Sequence, residues 1–372
     1  MRRRGQRAAA LVLGLTLLIG TPSACGADAP SAEAVAITAG EAFLDRYLQP
    51  SGRIARTDEG GDTVSEGQAY GMLVTVALGD EDRFRHIWAW TDEHLQRGDG
   101  LLAWRWADGG VVDDQAAADA DLLAAAALAM AGERFDAPDL SADADLINDA
   151  VLDHHLATLG GASVLVAGPW AVDERVVNPS YLVLPAMSQL WWNLGDDRWS
   201  GVAADARVVL DELTTDAPHL PPDWATVGAD GSGAAAAESP NGDSARYGYE
   251  AGRVIVQLAV DCRGEGQRVA ARSWDFFERE AGDDAVAATY SLDGEALGEP
   301  VDGAGHPLAL VAAVASADAA HEPERMHELL DAATALDDSR PSYYGAAWVA
   351  LARLWLDTDR LGACRPGAPL TP

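Results

Sequence analysis

The sequence predicts an all-α fold with its helices laid in two layers. Apolar residues recur at helical spacing in about a dozen segments of the chain. Stretches of strand-like alternation are few. Many of the helical segments are apolar on wide faces, as the inner helices of a two-layer helical barrel must be. The 372 residues, 48 % of them hydrophobic, suffice for one large core or two ordinary ones. Periodicity alone does not require the helices to close into a barrel.

The first residues read as an export signal rather than as part of the fold. Arg2, Arg3, Arg4 and Arg7 precede an apolar run from Ala8 to Ile19 that is too short to span a bilayer. The Ser23-Ala24-Cys25 ending resembles a bacterial lipoprotein cleavage site, with Cys25 as the lipidated residue and Pro22 standing where that pattern usually has leucine. Residues 1–25 are therefore read as signal and 26–38 as a spacer; plain secretion is the alternative to a lipid anchor. Cys262 and Cys364 remain as an even pair in an oxidising compartment, forming either a disulfide or two buried thiols. No Cys/His spacing resembles a zinc site.

The formal net charge is −33, and every positive side chain is an arginine, because the sequence has no lysine. Such a surface repels nucleic acid and anionic headgroups. The lack of lysine also excludes Schiff-base and phosphate-loop lysine chemistry. Substrates are expected to be neutral or cationic, and a monomer is the default.

The elements follow in order. Helical periodicity starts at about Ala39, with Phe43, Leu44, Tyr47 and Leu48 on one side, and Gly60-Gly61-Asp62 breaks it. Ser65 is placed as the cap of an apolar helix running to about Leu78. Arg83 to Leu95 is a further helix, and Leu102 to Trp106 is a short extended piece. Helices are read over 121–131, 144–159, 181–194 and 200–213, with a short strand or loop at Val164–Ala167. Asp230 to Glu238 reads as a long loop. The helical rhythm then resumes over 252–260, 266–279, 307–317, 323–335 and 344–356, so 39–362 forms one domain, followed by a tail over 363–372.

Three acids fall at helix starts. Glu66 lies in the first turn of its helix, beside Tyr70 and apolar neighbours, where partial desolvation would favour a held proton, as a general acid needs. Asp119 and Asp121 lie two apart and cannot share a helical face, so Asp119 is assigned to the cleft and Asp121 to a helix-end contact. Glu250 begins another helix with Arg253 three residues on, within pairing range. First-turn acids also suit the helix dipole with no other role. The chain carries twelve tryptophans. Trp104, Trp106, Trp170, Trp191, Trp192, Tyr181, Tyr343 and Tyr344 lie near predicted loops or helix ends. Aromatic faces beside carboxylates suit a polysaccharide cleft.

From about Ala39 to Leu361 the chain resembles glycoside hydrolase family 8, which includes endoglucanases, chitosanases and xylanases. Five stretches carry the resemblance in the family's order: Ser65-Glu66-Gly67-Gln68-Ala69-Tyr70-Gly71-Met72, Ala103-Trp104-Arg105-Trp106, Ala117-Ala118-Asp119-Ala120-Asp121-Leu122, Asn178-Pro179-Ser180-Tyr181 and Tyr249-Glu250-Ala251-Gly252-Arg253. The resemblance implies an (α/α)6 barrel of six helical hairpins, a cleft at the helix mouths, and inversion at the anomeric carbon. By the same resemblance Glu66 is the general acid, Asp119 binds and distorts the sugar, Tyr181 stands near the catalytic water, and Arg253 orients the base. Trp104, Trp170 and Tyr343 fall where the family stacks sugars.

The chain departs from the family in two places. The main branch has Asp where this chain has Glu250, so either Glu250 serves as base with a shifted water or Asp243 acts instead. An inverting site spaces its carboxyl groups roughly 6.5–9.5 Å apart. Ala118 stands where the family has Ser or Thr. The expected activity is extracytoplasmic endo-hydrolysis of a β-1,4-linked glucan without metal or organic cofactor. Chitosan or xylan are alternative substrates, and a catalytically degenerate, polysaccharide-binding lipoprotein is a different class of reading.

Overall fold

The computed structural model describes residues 30–159, 161–236, 238–282, 286–297 and 305–362. Thirteen α-helices are found among them: α1 (Ala32–Tyr47), α2 (Ser65–Leu78), α3 (Glu81–Leu95), α4 (Ala118–Arg134), α5 (Pro138–His154), α6 (Leu184–Leu194), α7 (Arg198–Leu213), α8 (Tyr249–Ala259), α9 (Gly264–Arg272), α10 (Trp274–Gly282), α11 (Pro307–Ala319), α12 (Pro323–Ser339) and α13 (Tyr343–Leu356).

Six of these helices form a closed inner ring. α2 packs on α4, α4 on α6, α6 on α8, α8 on α11, α11 on α13, and α13 returns to α2. The others stand outside: α1 against α13 and α2, α3 against α2, α5 against α4, α7 against α6, α9 against α8 and α11, α10 against α11, and α12 against α11 and α13. Outer and inner helices alternate along the chain, with α9 and α10 together filling one outer position, so the inner six run parallel. This is the (α/α)6 barrel, and its closure is what the apolar faces left open. The inner helices are buried nearly all round: in α2 only Glu66 and Leu78 are not buried, and in α8 only Tyr249 and Glu250.

Local chemistry sets several helix ends. Asp80 accepts from the Arg83 N–H to start α3, and Gly79, at φ 77°, ends α2 in the left-handed region. Proline opens α5, α11 and α12, and Ser342 caps α13. The strands are short and sit in the connections. β1 (Thr63–Val64), β2 (Arg105–Ala107) and β3 (Gly110–Asp113) form an antiparallel sheet at the mouth of α2. β4 (Leu156–Leu159) pairs with β5 (Ala162–Leu165), and β6 (Val176–Val177) with β7 (Ala225–Val227) and β8 (Gly233–Ala235).

Several sequence expectations are corrected. Ser65 does not cap α2: Val64 holds the cap position without a side-chain bond, and the Ser65 N–H donates to the Trp104 carbonyl at 2.9 Å, because β1 leads directly into the helix. α1 begins at Ala32 with Ala36 buried, so residues 32–38 belong to the folded unit and not to a spacer. The helix read over 144–159 ends at His154 and continues as β4, and the helix read over 266–279 is broken at Ser273. The loop over 230–238 contains β8. The signal, Cys25, Cys364 and the tail from 363 lie outside the described residues.

Gln68 ties the mouth of α2 to its surroundings. Its Oε1 accepts from the Ile54 N–H at 2.5 Å, and its Nε2 donates to Thr91 Oγ1 at 2.8 Å and to the Gly52 carbonyl at 3.3 Å, all in a fully buried setting. Gln68→Leu leaves these groups unpaired and is expected to lower stability by about 2–4 kcal/mol in denaturant titration.

Candidate active site

The N-termini of the inner helices meet at one end of the barrel, and Arg253 stands among them. It sits one turn into α8, 2 % exposed. Its Nη1 donates to Glu66 Oε1 at 2.7 Å and to Asp119 Oδ2 at 3.0 Å, and its Nη2 donates to Glu250 Oε2. Three carboxylates from the first turns of α2, α4 and α8 thus share one guanidinium. Arg guanidinium keeps its charge at any accessible pH, and its fork of donors serves several acceptors at once. The first-turn acids also lie at the positive ends of their own helices.

Each outer carboxylate is held by one oxygen. The Tyr70 hydroxyl, one turn along α2, donates to the same Glu66 Oε1 that Arg253 holds. Asn178 Nδ2 donates to Glu250 Oε2 at 3.2 Å, again the oxygen that Arg253 takes. Both hydrogen bonds of each residue go to that single atom, which leaves Glu66 Oε2 and Glu250 Oε1 without protein partners among the described residues. The Glu66 and Glu250 side chains are 23 % and 36 % exposed, so these oxygens have access to the cleft.

Asp119 and Asp121 separate as their spacing demands. Asp119 is buried at the floor beneath Glu66, and burial, with the Glu66 charge second, pushes its carboxyl up to about 7. Asp121 is fully buried on the other side of the helix, where Oδ1 accepts from the Leu102 N–H at 2.8 Å and Oδ2 meets His155 Nε2 at 2.9 Å. It ties α4 to the segment that leads into Trp104 rather than reaching the cleft.

The aromatic groups divide in the same way. Tyr181 lies with its ring 5.6 Å from the Arg253 guanidinium and 6.2 Å from the Trp224 ring, and Trp224 lies 6.5 Å from Trp170, which is 40 % exposed. These rings form a row leading outward from the acids. Trp104 carries the Arg105 guanidinium over its face at 5.8 Å, and Arg105 is held by Asp62 at 2.7 Å. The stacking role expected for Tyr343 is corrected. Tyr343 is 2 % exposed, packed edge-on to Tyr47 and near Phe43, with its hydroxyl so close to Gly67 that a Cβ there would lie 2.5 Å away. Its neighbour Tyr344 faces the site instead, 6.0 Å from the Arg253 guanidinium. Trp191 and Trp192 sit at the C-terminal end of α6, away from the mouth.

Asp243, the alternative base, shares with Glu250 a cavity of about 160 Å³ that Asp223, Trp224, Arg246 and Tyr249 also line. Arg246 pairs with it at 3.4 Å. Sequence reasoning assigned no role to Asn178, Trp224 or Asp223. Asp223 is buried and accepts the Ala251 N–H at 2.9 Å, capping the helix that carries Glu250 and Arg253 from a distant loop. Only its distance in sequence hid it, since Asp is a good cap residue. Cys262 is disulfide-bonded, and both other cysteines lie outside the described residues.

The raised Asp119 carboxyl gives a sign to pH dependence. Its folded pKa lies above the ordinary 3.8, so the proton stabilises the fold fully below about pH 4, and this contribution is lost as pH rises through about 7. Asp119→Asn fixes the neutral form, so its thermal midpoint relative to the parent is expected to be higher at about pH 8.5 than at about pH 5.

Comparison with known proteins agrees with the fold. A protein of Novacetimonas hansenii described as a probable endoglucanase is 37 % identical over 221 residues, which cover 57 % of this chain and 63 % of that protein. The chain thus matches less than two thirds of that relative's length. The structure of an endo-β-1,4-glucanase from Acetobacter xylinum superposes with a TM-score of 0.72 at 29 % identity, covering 86 % of this chain and 97 % of that one. A cold-adapted family 8 xylanase bound to substrate gives a TM-score of 0.73 over 90 % of this chain and 92 % of its own, but at 19 % identity, which speaks for the fold alone. Residues 23–294 match the family model for glycosyl hydrolases family 8, and the chain belongs to that family.

Proposed function

We propose that the chain is an endo-acting hydrolase of β-1,4-linked glucan that works with inversion, Glu66 acting as general acid and Glu250 as general base. The observation that carries this is the meeting of Glu66, Asp119 and Glu250 on Arg253 at the barrel mouth. The polarity of each carboxyl group fits its role. With Oε1 of Glu66 occupied by Tyr70 and Arg253, its proton resides on Oε2, pointed at the glycosidic oxygen. With Oε2 of Glu250 occupied by Asn178 and Arg253, Oε1 accepts the proton of a water attacking the opposite face of the sugar. The leaving oxygen takes the Glu66 proton, the anomeric carbon takes the hydroxyl, and the two carboxyls exchange their proton with solvent before the next turnover. Asp119 and Tyr181 bind the sugar at the cleavage point, and Trp104, Trp224 and Trp170 stack its neighbours.

The endoglucanase relatives favour a β-glucan substrate over chitosan or xylan. Asp243 as base has one observation behind it, its place in the same cavity as Glu250. Export through the N-terminal signal, an anchor at Cys25 and pairing of Cys262 with Cys364 belong to the same proposal, since a disulfide at Cys262 suits an oxidising compartment. No helix among the described residues is long and apolar enough to cross a membrane.

Glu66→Gln is expected to lower kcat on carboxymethyl-cellulose or lichenan by about a thousandfold with the thermal midpoint retained. Glu250→Gln is expected to fall as far while Asp243→Asn keeps its rate; the reverse pattern would identify Asp243 as the base. NMR of early products is expected to show the α-anomer. A parent that binds these glucans without turnover, unchanged by Glu250→Asp, would mark a binding protein. Mass mapping of non-reduced peptides is expected to join Cys262 to Cys364, with diacylglycerol on Cys25; a Cys25–Cys262 link would remove the anchor.

A further inference from the structure

His306 is a half-buried imidazole at the cleft mouth that the proposed chemistry does not use. It occupies the cap position of α11, where its Nδ1 accepts from the Leu308 N–H at 3.2 Å. Its Nε2 lies 3.3 Å from Ser342 Oγ, and Ser342 Oγ in turn accepts from the Gly345 N–H at 3.1 Å to cap α13. Since Nδ1 is the acceptor, the ring proton sits on Nε2 and is donated to Ser342. One side chain therefore links the caps of two adjacent inner helices. The linkage is tight: a Cβ on Gly345 would lie 2.7 Å from Ser342 Oγ and 2.9 Å from the Pro307 ring. Burial alone lowers the His306 pKa to about 4, which keeps the ring in this neutral, one-donor, one-acceptor form.

The imidazole also touches both tyrosines of this side of the mouth. Tyr249 meets it edge to face at 5.0 Å, and Tyr344 lies 6.2 Å away. The Tyr344 hydroxyl donates to the Tyr249 carbonyl at 3.4 Å, which joins α13 to α8. Tyr249 precedes Glu250 and is 44 % exposed, and Tyr344 faces Arg253. Three helix mouths, α8, α11 and α13, thus meet around one ring.

We propose that His306 is a positioning residue for the sugar-binding wall beside Glu250: by bridging the caps of α11 and α13 it fixes the Tyr249 and Tyr344 rings that receive the glycan there. The inference rests on the glycan-cleft reading of the site. An aromatic face contributes more to sugar binding when its angle is fixed beforehand, since ordering it on binding subtracts from the gain. His306→Asn keeps an acceptor for Leu308 but is too short to reach Ser342. His306→Gln offers an acceptor and a donor at comparable reach.

The test uses the full chain labelled with 3-fluorotyrosine, with the Tyr249 and Tyr344 fluorine resonances assigned from Tyr249→Phe and Tyr344→Phe. His306→Asn is expected to shift or broaden both while leaving Tyr47 and Tyr290 in place, and His306→Gln is expected to keep both near the parent positions. In the Glu66→Gln background, which allows binding without turnover, the Kd for cellohexaose is expected to rise about fivefold in His306→Asn and to return to within about twofold of the parent in His306→Gln. Unmoved Tyr249 and Tyr344 resonances in His306→Asn would overturn the proposal, as would moved resonances with unchanged affinity. Should His306→Asn not fold, Ser342→Ala cuts the same bridge from the other side and is read by the same two signals. If the parent binds no glucan, the cleft reading fails, and the fluorine spectra still decide whether His306 holds the two rings.

Discussion

The buried charge of Arg253 is the constraint on which the rest of the site depends. A guanidinium taken out of water is costly unless its donors are matched by acceptors, and here Glu66, Asp119 and Glu250 supply them. The arrangement is reciprocal. The three acids repel one another at close range, and only a cation between them lets them gather in a low-dielectric mouth. That balance is incomplete at Asp119, where burial first and the neighbouring Glu66 charge second push its carboxyl toward holding a proton.

The barrel makes this concentration of charge possible. Parallel inner helices bring their N-termini, and so the positive ends of their dipoles, to one rim. The apolar ring below gives the carboxylates no room to sink, and α2 and α4 are fully buried just past their acids. Rigidity is added by side chains that reach across connections: Gln68 to the Ile54 and Gly52 backbone, Asp121 to Leu102 and His155, and Asp223 to the first turn of α8. Each satisfies a buried backbone or ring donor, and each fixes one wall of the cleft.

The length of the Glu250 side chain suits the same balance of charge. That side chain reaches Arg253 Nη2 and Asn178 with one oxygen and keeps the other free. Much of this was legible beforehand. The helical rhythm gave the inner helices nearly to the residue at Leu78 and Leu356, and it put Glu66 in a first turn, whereas helices read from 121 and 252 begin three residues late and left Asp119 and Glu250 just ahead of them. Tyr343 and Tyr344 were not separable in sequence, because adjacent residues at a helix start point about a quarter-turn apart and only the packing of α1 decides which turns inward. The cap on α2 was misplaced because β1 runs straight into it.

The sequence by itself determined the all-α class, the order of the helices and the identity of the acids, because apolar spacing and motif are local properties of the chain. Only the tertiary structure decided that the ring closes, that Arg253 serves three acids at once, that Asp223 and Trp224 belong to the site, and which tyrosine faces the cleft. Those outcomes depend on contacts between residues far apart in the chain, such as the 187 positions between Glu66 and Arg253, and burial acts on whichever groups the fold brings together.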